Sequence, residues 1–164
     1  MSAAETAVSR KSRTKFLVVV DDTPECRVAL RFAARRARRL GSAVVMLRVI
    51  EPTDFKQWGG VEELMREEAR AEAEQLLQDV AAQVNQAAGL VPEFVVKEGR
   101  KRDVVLDLIK SDAGIRILVL GAAAGESGPG PLVASLAGQM SGQLPIPVTV
   151  VPGSLTDAQI DDLS

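Results

Sequence analysis

The sequence predicts an α/β fold of the Rossmann-like type, an open sheet of five parallel strands with helices on both faces. Short aliphatic runs alternate with longer amphipathic segments along the chain, which is typical of parallel strands joined by right-handed crossover helices. The chain is 46% hydrophobic but only 3% aromatic. The core is therefore built from Val, Leu, Ile and Ala, as in sheets that are covered on both faces. A length of 164 residues is sufficient for one such domain.

The first strand and first helix have the clearest boundaries. Five consecutive apolar residues predict a buried strand over Lys15–Asp21. The helix that follows is predicted over Thr23–Leu40. Its start has Thr23 as N-cap and Pro24 at the first helical position, and Gly41 marks its end.

The remaining elements follow the same two patterns, and Gly or Pro residues separate most of them. They are predicted as a strand over Ala43–Ile50, a helix over Val61–Ala88, a strand over Phe94–Val96, a helix over Asp103–Ser111, a strand over Ile117–Leu120, a helix over Leu132–Gly142 and a strand over Val148–Val151. The polar segments outside this pattern, residues 1–13 and the acidic residues 153–164, are predicted to be flexible tails around one domain of residues 14–152.

Composition excludes several classes of function. A net charge of −2 and a pI near 5.3 argue against a general nucleic-acid-binding protein. No apolar run approaches the ~18 residues of a membrane span, and the first residues lack the apolar block of a secretory signal, so we expect a cytoplasmic protein. The chain has no His and a single Cys. Ser-His-Asp and Cys-His catalysis and a Cys/His zinc site are therefore excluded.

Polar and small residues follow three of the predicted strands. Ligands of open parallel sheets bind at the carboxyl ends of the strands, where the strand order reverses. The pair Asp21-Asp22 suggests the metal-binding acids of a phosphoacceptor receiver domain. That interpretation requires an acceptor Asp after the third strand and a Lys before the Pro of the fifth. The chain instead has Lys97-Glu98-Gly99 and Val150-Val151-Pro152 at those places, so the receiver hypothesis fails.

Several segments in order resemble the universal stress protein family over residues 14–152. Asp21-Asp22-Thr23 with Cys26 is similar to the family's Val-Asp-Gly-Ser opening, and Leu47–Pro52 to its second strand and exit. Glu98-Gly99 is similar to the start of its third helix, and Pro147–Val151 to its closing strand. The resemblance implies a nucleotide-binding fold that works as a homodimer through its last strand, Val148–Val151.

The nucleotide-binding branch of that family carries Gly, two residues, Gly, nine residues, then Gly followed by Ser or Thr. On this chain the three Gly positions are Gly121, Ala124 and Ala134, followed by Ser135. The resemblance implies ATP or AMP, with Mg²⁺, held by the β-strand ends and this loop. The implied nucleotide-binding residues are Val20, Asp21, Val49, Leu120, Gly121, Ala123, Ala124, Gly125, Ala134, Ser135 and Leu136.

The two alanines leave two hypotheses open. Alanine at a positive φ costs on the order of 1 kcal/mol or more, whereas at a negative φ it adds one methyl group and keeps its amide donor. The first hypothesis is a nucleotide-binding regulatory module. The alternative is a dimeric protein-interaction module of the same fold that has lost its ligand. A dedicated enzyme is disfavoured because no Lys lies between 121 and 135, although slow ATP hydrolysis is compatible with a site that holds ATP and magnesium.

Two further features each have two interpretations. Six arginines make the first helix basic. Because no aromatic residues lie between them to stack on bases, a solvated helix face is favoured over a nucleic-acid-binding surface. Cys26 lies near a helix N-terminus, a position that can lower the pKa of a thiol, but the favoured interpretation is a small residue packed where the helix meets the sheet.

Overall fold

A computed structural model of the chain describes residues 13–52 and 61–164. Most of the predicted N-terminal tail and of the 51–60 loop lies outside these residues. The regular elements, in chain order, are β1 (Lys15–Val19), α1 (Pro24–Leu40), β2 (Ala43–Ile50), α2 (Glu62–Ala88), β3 (Glu93–Glu98), α3 (Lys101–Ser111), β4 (Ile115–Ala122), a π-helix (Val133–Gln139), a 3₁₀ turn (Ser141–Gln143), β5 (Val148–Pro152) and α4 (Asp157–Leu163).

The five strands form one parallel sheet in the order β3-β2-β1-β4-β5. The predicted fold class is therefore confirmed. The strand order reverses between β1 and β4, which places a crevice at their carboxyl ends. Several predicted boundaries were wrong by a few residues: β1 ends at Val19, while β3 and β4 are longer at both ends than predicted. β2 begins and ends where the sequence predicts.

Helices cover both faces of the sheet with separate apolar clusters. On one face α1 and α2 pack on Val18, Met46 and Val119. On the other face α3 and the π-helix pack on Leu17, Leu47 and Leu118. This arrangement follows from right-handed crossovers, because the direction of strand progression changes after β3. The crevice therefore lies over a rigid, fully packed core.

The start of α1 confirms the predicted capping pattern. The Thr23 hydroxyl accepts a hydrogen bond from the Cys26 amide, and Pro24 occupies the first turn. Gly41 ends the helix in the left-handed conformation at φ 65°, which glycine adopts without a Cβ penalty. Ala33 and Ala37 on the inner face have no exposed surface, and their small side chains let α1 approach the sheet closely.

The helix predicted over Leu132–Gly142 has a different geometry from the expected one. Residues Val133–Gln139 are π-helical, and the Met140 amide donates to the Ser135 carbonyl, five residues back, at 2.9 Å. A 3₁₀ turn follows before β5. The predicted helix is therefore confirmed, but its π geometry was not predicted, because hydrophobic spacing alone does not separate a wider helix from an α-helix over two turns.

The prediction of a flexible tail over 153–164 is wrong, because residues Asp157–Leu163 form a helix. A capping box begins it: Thr156 accepts from the Gln159 amide, and the Gln159 side chain accepts from the Thr156 amide. Ile160 is completely buried in the cluster that α1 and α2 share. A single deeply buried residue and a cap therefore dock this short helix.

Arginines of α1 hold α4 in place. Nε and Nη2 of Arg31 donate to the two carboxylate oxygens of Asp161 at 2.8 and 2.9 Å, and Arg35 Nε lies 3.0 Å from Asp161 Oδ1. Arg36 donates to the Ser164 carbonyl at 3.4 Å. The basic helix is thus not simply a solvated face. None of the helices described here is both long enough and apolar enough to span a membrane.

Candidate functional site

The ends of β2, β1 and β4 form the floor of the crevice. Val19 pairs with Leu47 in β2, and Val18 pairs with Val119 in β4. The residues that follow these pairs therefore emerge side by side at one edge of the sheet. The structure brings together five of the implied site residues there: Val20, Asp21, Val49, Leu120 and Gly121.

Asp21 organises the turn between β1 and α1. One of its carboxylate oxygens, Oδ1, accepts hydrogen bonds from both the amide and the hydroxyl of Thr23. The Asp21 amide donates to the Cys26 sulfur at 3.4 Å. Asp21 therefore has a structural role in orienting the turn, and its second carboxylate oxygen accepts no hydrogen bond from any of the described residues.

Cys26 belongs to the packing of this turn. Its thiol is buried and lies 3.6 Å from the Val19 carbonyl. Burial raises the pKa of the thiol to about 12, and the hydrogen bond from the Asp21 amide only partly offsets this. The interpretation as a small packed residue is correct, and a reactive thiolate with a lowered pKa is not supported.

Gly121 is required by the close contact between β4 and α1. A Cβ at this position would lie 2.2 Å from the Glu25 carbonyl oxygen and 2.6 Å from its carbon. Gly153 makes a similar contact, with a Cβ 2.6 Å from the Ala122 oxygen and 2.8 Å from Glu25 Cβ. The first glycine of the motif is therefore explained by backbone packing, whether or not a ligand binds.

The loop after β4 is compatible with its alanines. No residue other than glycine has a positive φ among the described residues, so Ala123, Ala124 and Ala134 keep ordinary backbone conformations. The left-handed positions of the loop are Gly128 at φ 93° and Gly130 at φ 103°. The cost of alanine at a positive φ therefore does not apply to Ala124 and Ala134, and relative to glycine each of them adds only a methyl group.

Some backbone amides of this loop are hydrogen-bonded to carbonyls of the chain and others are not. The Ala123 amide donates to the Pro129 carbonyl at 3.1 Å, and the Ala134 amide to the Gly130 carbonyl at 3.0 Å. Within the described part of the chain, the amides of Ala124 and Gly125 have no acceptor. Both residues are exposed, and loop amides of this kind are potential donors to a phosphate oxygen.

The residues beyond the loop contribute less than the motif implies. Ser135 lies inside the π-helix, and the hydroxyl has no hydrogen-bond partner among residues 13–52 and 61–164. Leu136 is completely buried beneath the sheet. Like Val20, Val49 and Leu120, it is at most 4% exposed, so these four residues offer little or no accessible surface to a ligand.

An open groove begins beside this crevice and runs between α1 and α2. It has a volume of about 840 Å³, and its lining includes Asp22, Arg48, Val49 and Lys101. The predicted site residues do not include Arg48 and Lys101, although both line this groove; the single charged residue inside the apolar run of β2 was the available signal for Arg48. No cluster of three or more potential metal ligands occurs in the described ranges.

The architecture defines a Rossmann-like α/β domain with a candidate ligand crevice at its β1/β4 switch point. The model of the universal stress protein family matches residues 12–152. The chain belongs to this family, and the predicted resemblance is confirmed. α4 lies outside the matched residues. A comparison with curated proteins finds no match.

Solved structures show the same fold at low sequence identity. The universal stress protein UspA from Lactobacillus plantarum is 19% identical with a TM-score of 0.67, covering 84% of this chain and 97% of its own. A family member from Burkholderia pseudomallei is 18% identical with a TM-score of 0.66, covering 86% and 97%. A universal stress protein in complex with cAMP is 15% identical with a TM-score of 0.59, covering 87% and 99%.

Proposed function

We propose that this protein is a universal stress protein of the cytoplasm that binds ATP or AMP, with Mg²⁺, and acts as a regulatory module rather than a dedicated enzyme. The observation that carries the proposal is the conformation of the loop after β4. Its alanines have negative φ, and the neighbouring amides of Ala124 and Gly125 are without acceptors in the described residues. The loop therefore retains phosphate-binding donors despite two missing glycines.

Two further points support a nucleotide. Asp21 lies at the end of β1 with one carboxylate oxygen directed into its own turn and the other available for a ribose hydroxyl. A structurally similar family member has been solved with cAMP, a nucleotide with a single cyclic phosphate. The first of these points concerns the strand-end crevice of this chain.

A protein-interaction module without nucleotide is the second candidate. It is favoured by Gly121, since contact with the Glu25 carbonyl is sufficient to explain this glycine. It is also favoured by the Ala134 amide, which is already bonded to Gly130. In this hypothesis the fold and the dimer remain, and the crevice has no small ligand.

Mass spectrometry of the purified protein and calorimetric titration with ATP and magnesium distinguish the two candidates. We expect adenine nucleotide to co-purify or ATP to bind with measurable heat. Absence of heat at millimolar ATP would leave the interaction module. Because both alanines already have negative φ, we expect the Ala124→Gly/Ala134→Gly variant to bind ATP within about threefold of the wild type. A large gain in affinity would show that backbone freedom limits binding.

Dimerisation through the edge strand β5 is part of the proposal. β5 pairs with β4 on one side only, and Val150 is exposed. An unshielded apolar edge favours association with another strand. Sedimentation analysis should give a dimer for the wild type and a monomer for Val150→Lys. Val91→Lys, a change at an even more exposed valine away from β5, should remain dimeric; dissociation of both variants would reject this interface.

A further inference from the structure

We propose that a groove at the amino ends of β4 and β5 binds an acidic peptide segment of a partner protein. The groove has a volume of about 590 Å³ and lies between the end of α3, the start of β4 and the residues 145–147 that precede β5. Because the strands are parallel, it is at the opposite edge of the sheet from the strand-end crevice. The inference therefore goes beyond the proposed nucleotide function and does not depend on it.

The apolar part of the groove is concave. Ile109 and Ile115 line it but are at most 4% exposed, so they are set back from the molecular surface. Pro145 and Pro147 are exposed and form part of its rim. A flat membrane surface does not reach residues at the bottom of a groove, whereas a single side chain of a peptide does. This shape favours a peptide segment.

Two cations, Lys110 and Arg116, complete the lining. Both are exposed, and their side chains form no hydrogen bond or ion pair with any residue that the structure describes. The planar guanidinium of arginine matches a carboxylate with two parallel hydrogen bonds. The groove thus combines apolar surface with two positive charges that have no counter-charge in the described chain.

A shift in strand register accompanies Arg116. Lys15 in β1 pairs with Ile115, whereas Phe16 pairs with Ile117, so Arg116 is an extra residue without a partner in β1. Ile115 and Ile117 consequently pack in clusters on opposite faces of the sheet, although residues two apart in a regular strand share a face. An extra residue of this kind redirects side chains and is common next to active sites. Here it brings an arginine to the groove.

No carboxylate lines the groove among the described residues. The adjacent Asp112 is bonded elsewhere: Oδ2 lies 3.0 Å from Lys15 Nζ, and Oδ1 accepts from the Gly114 amide at 3.0 Å. Asp107, one turn before Lys110 in α3, forms no ion pair with it. The groove between α1 and α2 differs, because five carboxylates and three cations line it. Charge complementarity therefore directs an acidic segment to the groove at the amino ends.

The partner segment is expected to place an apolar side chain against Ile109 and Ile115, with Asp or Glu residues at Lys110 and Arg116. Ion pairs with exposed cations contribute little individually and are screened by salt. A contact of this size also belongs to the weak and transient class of interfaces. We therefore expect an affinity that falls as the salt concentration rises.

Selection from a random peptide library displayed on phage, with the full chain as target, tests this site. Enriched peptides should carry Asp or Glu beside an apolar residue. A fluorescently labelled peptide from the selection should bind Lys110→Glu/Arg116→Glu about tenfold or more weakly in anisotropy titrations, because two attractions become repulsions. Lys97→Glu/Arg100→Glu is the matched control. It makes the same change in net charge at two exposed, unpaired cations outside the groove, and its affinity should stay within about threefold of the wild type.

Several results would overturn the proposal. They are the absence of enriched peptides, enrichment without acidic residues, and equal affinity of the wild type and Lys110→Glu/Arg116→Glu. Phosphatidylserine vesicles that bind the wild type but not this variant would assign the groove to a membrane. A changed oligomeric state of the variant in sedimentation would assign it to a second copy of the chain. If charge reversal lowers the melting temperature, Lys110→Gln/Arg116→Gln decides, and unchanged peptide affinity in that neutral variant would reject the site.

Discussion

The two sides of the crevice are built in opposite ways. One side, which we call the α1 wall, consists of Asp21–Cys26 with Gly121 and Gly153. At both glycines the neighbouring atoms lie too close to leave room for a methyl group. On the other side, the loop of residues 123–130 is largely exposed, and Gly125, Gly128 and Gly130 have almost nothing within reach of an added Cβ.

This difference separates structural glycines from replaceable ones. Gly121 and Ala124 stand at the first and second glycine positions of the family's phosphate motif, and Gly121 is held by its contact with α1. The wall fixes where β4 ends relative to α1, whereas the loop has amides without acceptors among the described residues. Substitutions on the wall should therefore affect folding, and substitutions in the loop should affect binding alone.

The largest expected effect is that of Gly121→Ala. Its Cβ would meet the carbonyl of Glu25, and neither backbone segment can move without displacing the other. We expect the free energy of unfolding to fall by about 3 kcal/mol, as for severe overpacking. Urea denaturation followed by circular dichroism measures this change.

Gly125→Ala is the matched control for Gly121→Ala. Its φ is not left-handed, and the nearest atom to an added Cβ is the Ser127 nitrogen at 4.0 Å. The expected change is within about 0.5 kcal/mol. Similar losses in the two variants would contradict the distinction between the wall and the loop.

Ile160→Ala tests whether α4 supports the α1 wall from behind. We expect removal of the completely buried Ile160 side chain to lower the free energy of unfolding by about 2 kcal/mol. This value is at the lower end of the usual range, because a short helix can shift to fill part of the space. Leu163→Ala, at a position that is 58% exposed, should change the unfolding free energy little. Equal effects in urea denaturation would show that α4 does not dock through Ile160.

Local sequence signals were sufficient for most of the fold. The aliphatic run of β2 gave its limits, and Thr23, Pro24 and Gly41 gave those of α1, because caps and buried strands depend on neighbouring residues. α4 was missed because it buries only one apolar residue, Ile160. Its ion pairs join Asp161 to Arg31 and Arg35, which lie 130 and 126 positions earlier in the sequence. The capping box at Thr156 was the signal that could have revealed it.

The candidate site was less accessible from the sequence. The motif located Gly121, but its physical cause is the Glu25 carbonyl, which only the packing of α1 on β4 brings close. The φ of Ala124 decides whether the loop tolerates alanine, and one sequence does not specify it. Arg48 was not predicted to line the groove, because that position depends on the packing of α1 and α2 over an otherwise apolar strand.

Thr23→Ala should weaken the wall by a smaller amount. The Thr23 hydroxyl both donates to Asp21 and accepts from the Cys26 amide, and it is the only side-chain cap of α1 in the described structure. Loss of an N-cap costs about 1 kcal/mol, measurable by urea denaturation. Thr23→Ser keeps the hydroxyl and should retain most of the stability. Equal loss in the serine variant would mean that the methyl group, and not the cap, is responsible.

The smallest expected effect is the pH dependence of the α4 contact. Hydrogen bonds from Arg31 hold the pKa of Asp161 below its ordinary value of 3.8. A carboxylate whose pKa is lowered in the folded state stabilises the fold fully at pH values above its ordinary pKa. This stabilisation disappears as the pH falls through the pKa of the folded state. Asp161→Asn should therefore lower the melting temperature slightly at pH 7, with the difference shrinking below pH 3.8. Asp162→Asn, at an exposed position, should not differ from the wild type at either pH. A melting-temperature difference for Asp161→Asn that persists unchanged in acid would assign the loss to side-chain geometry instead of charge.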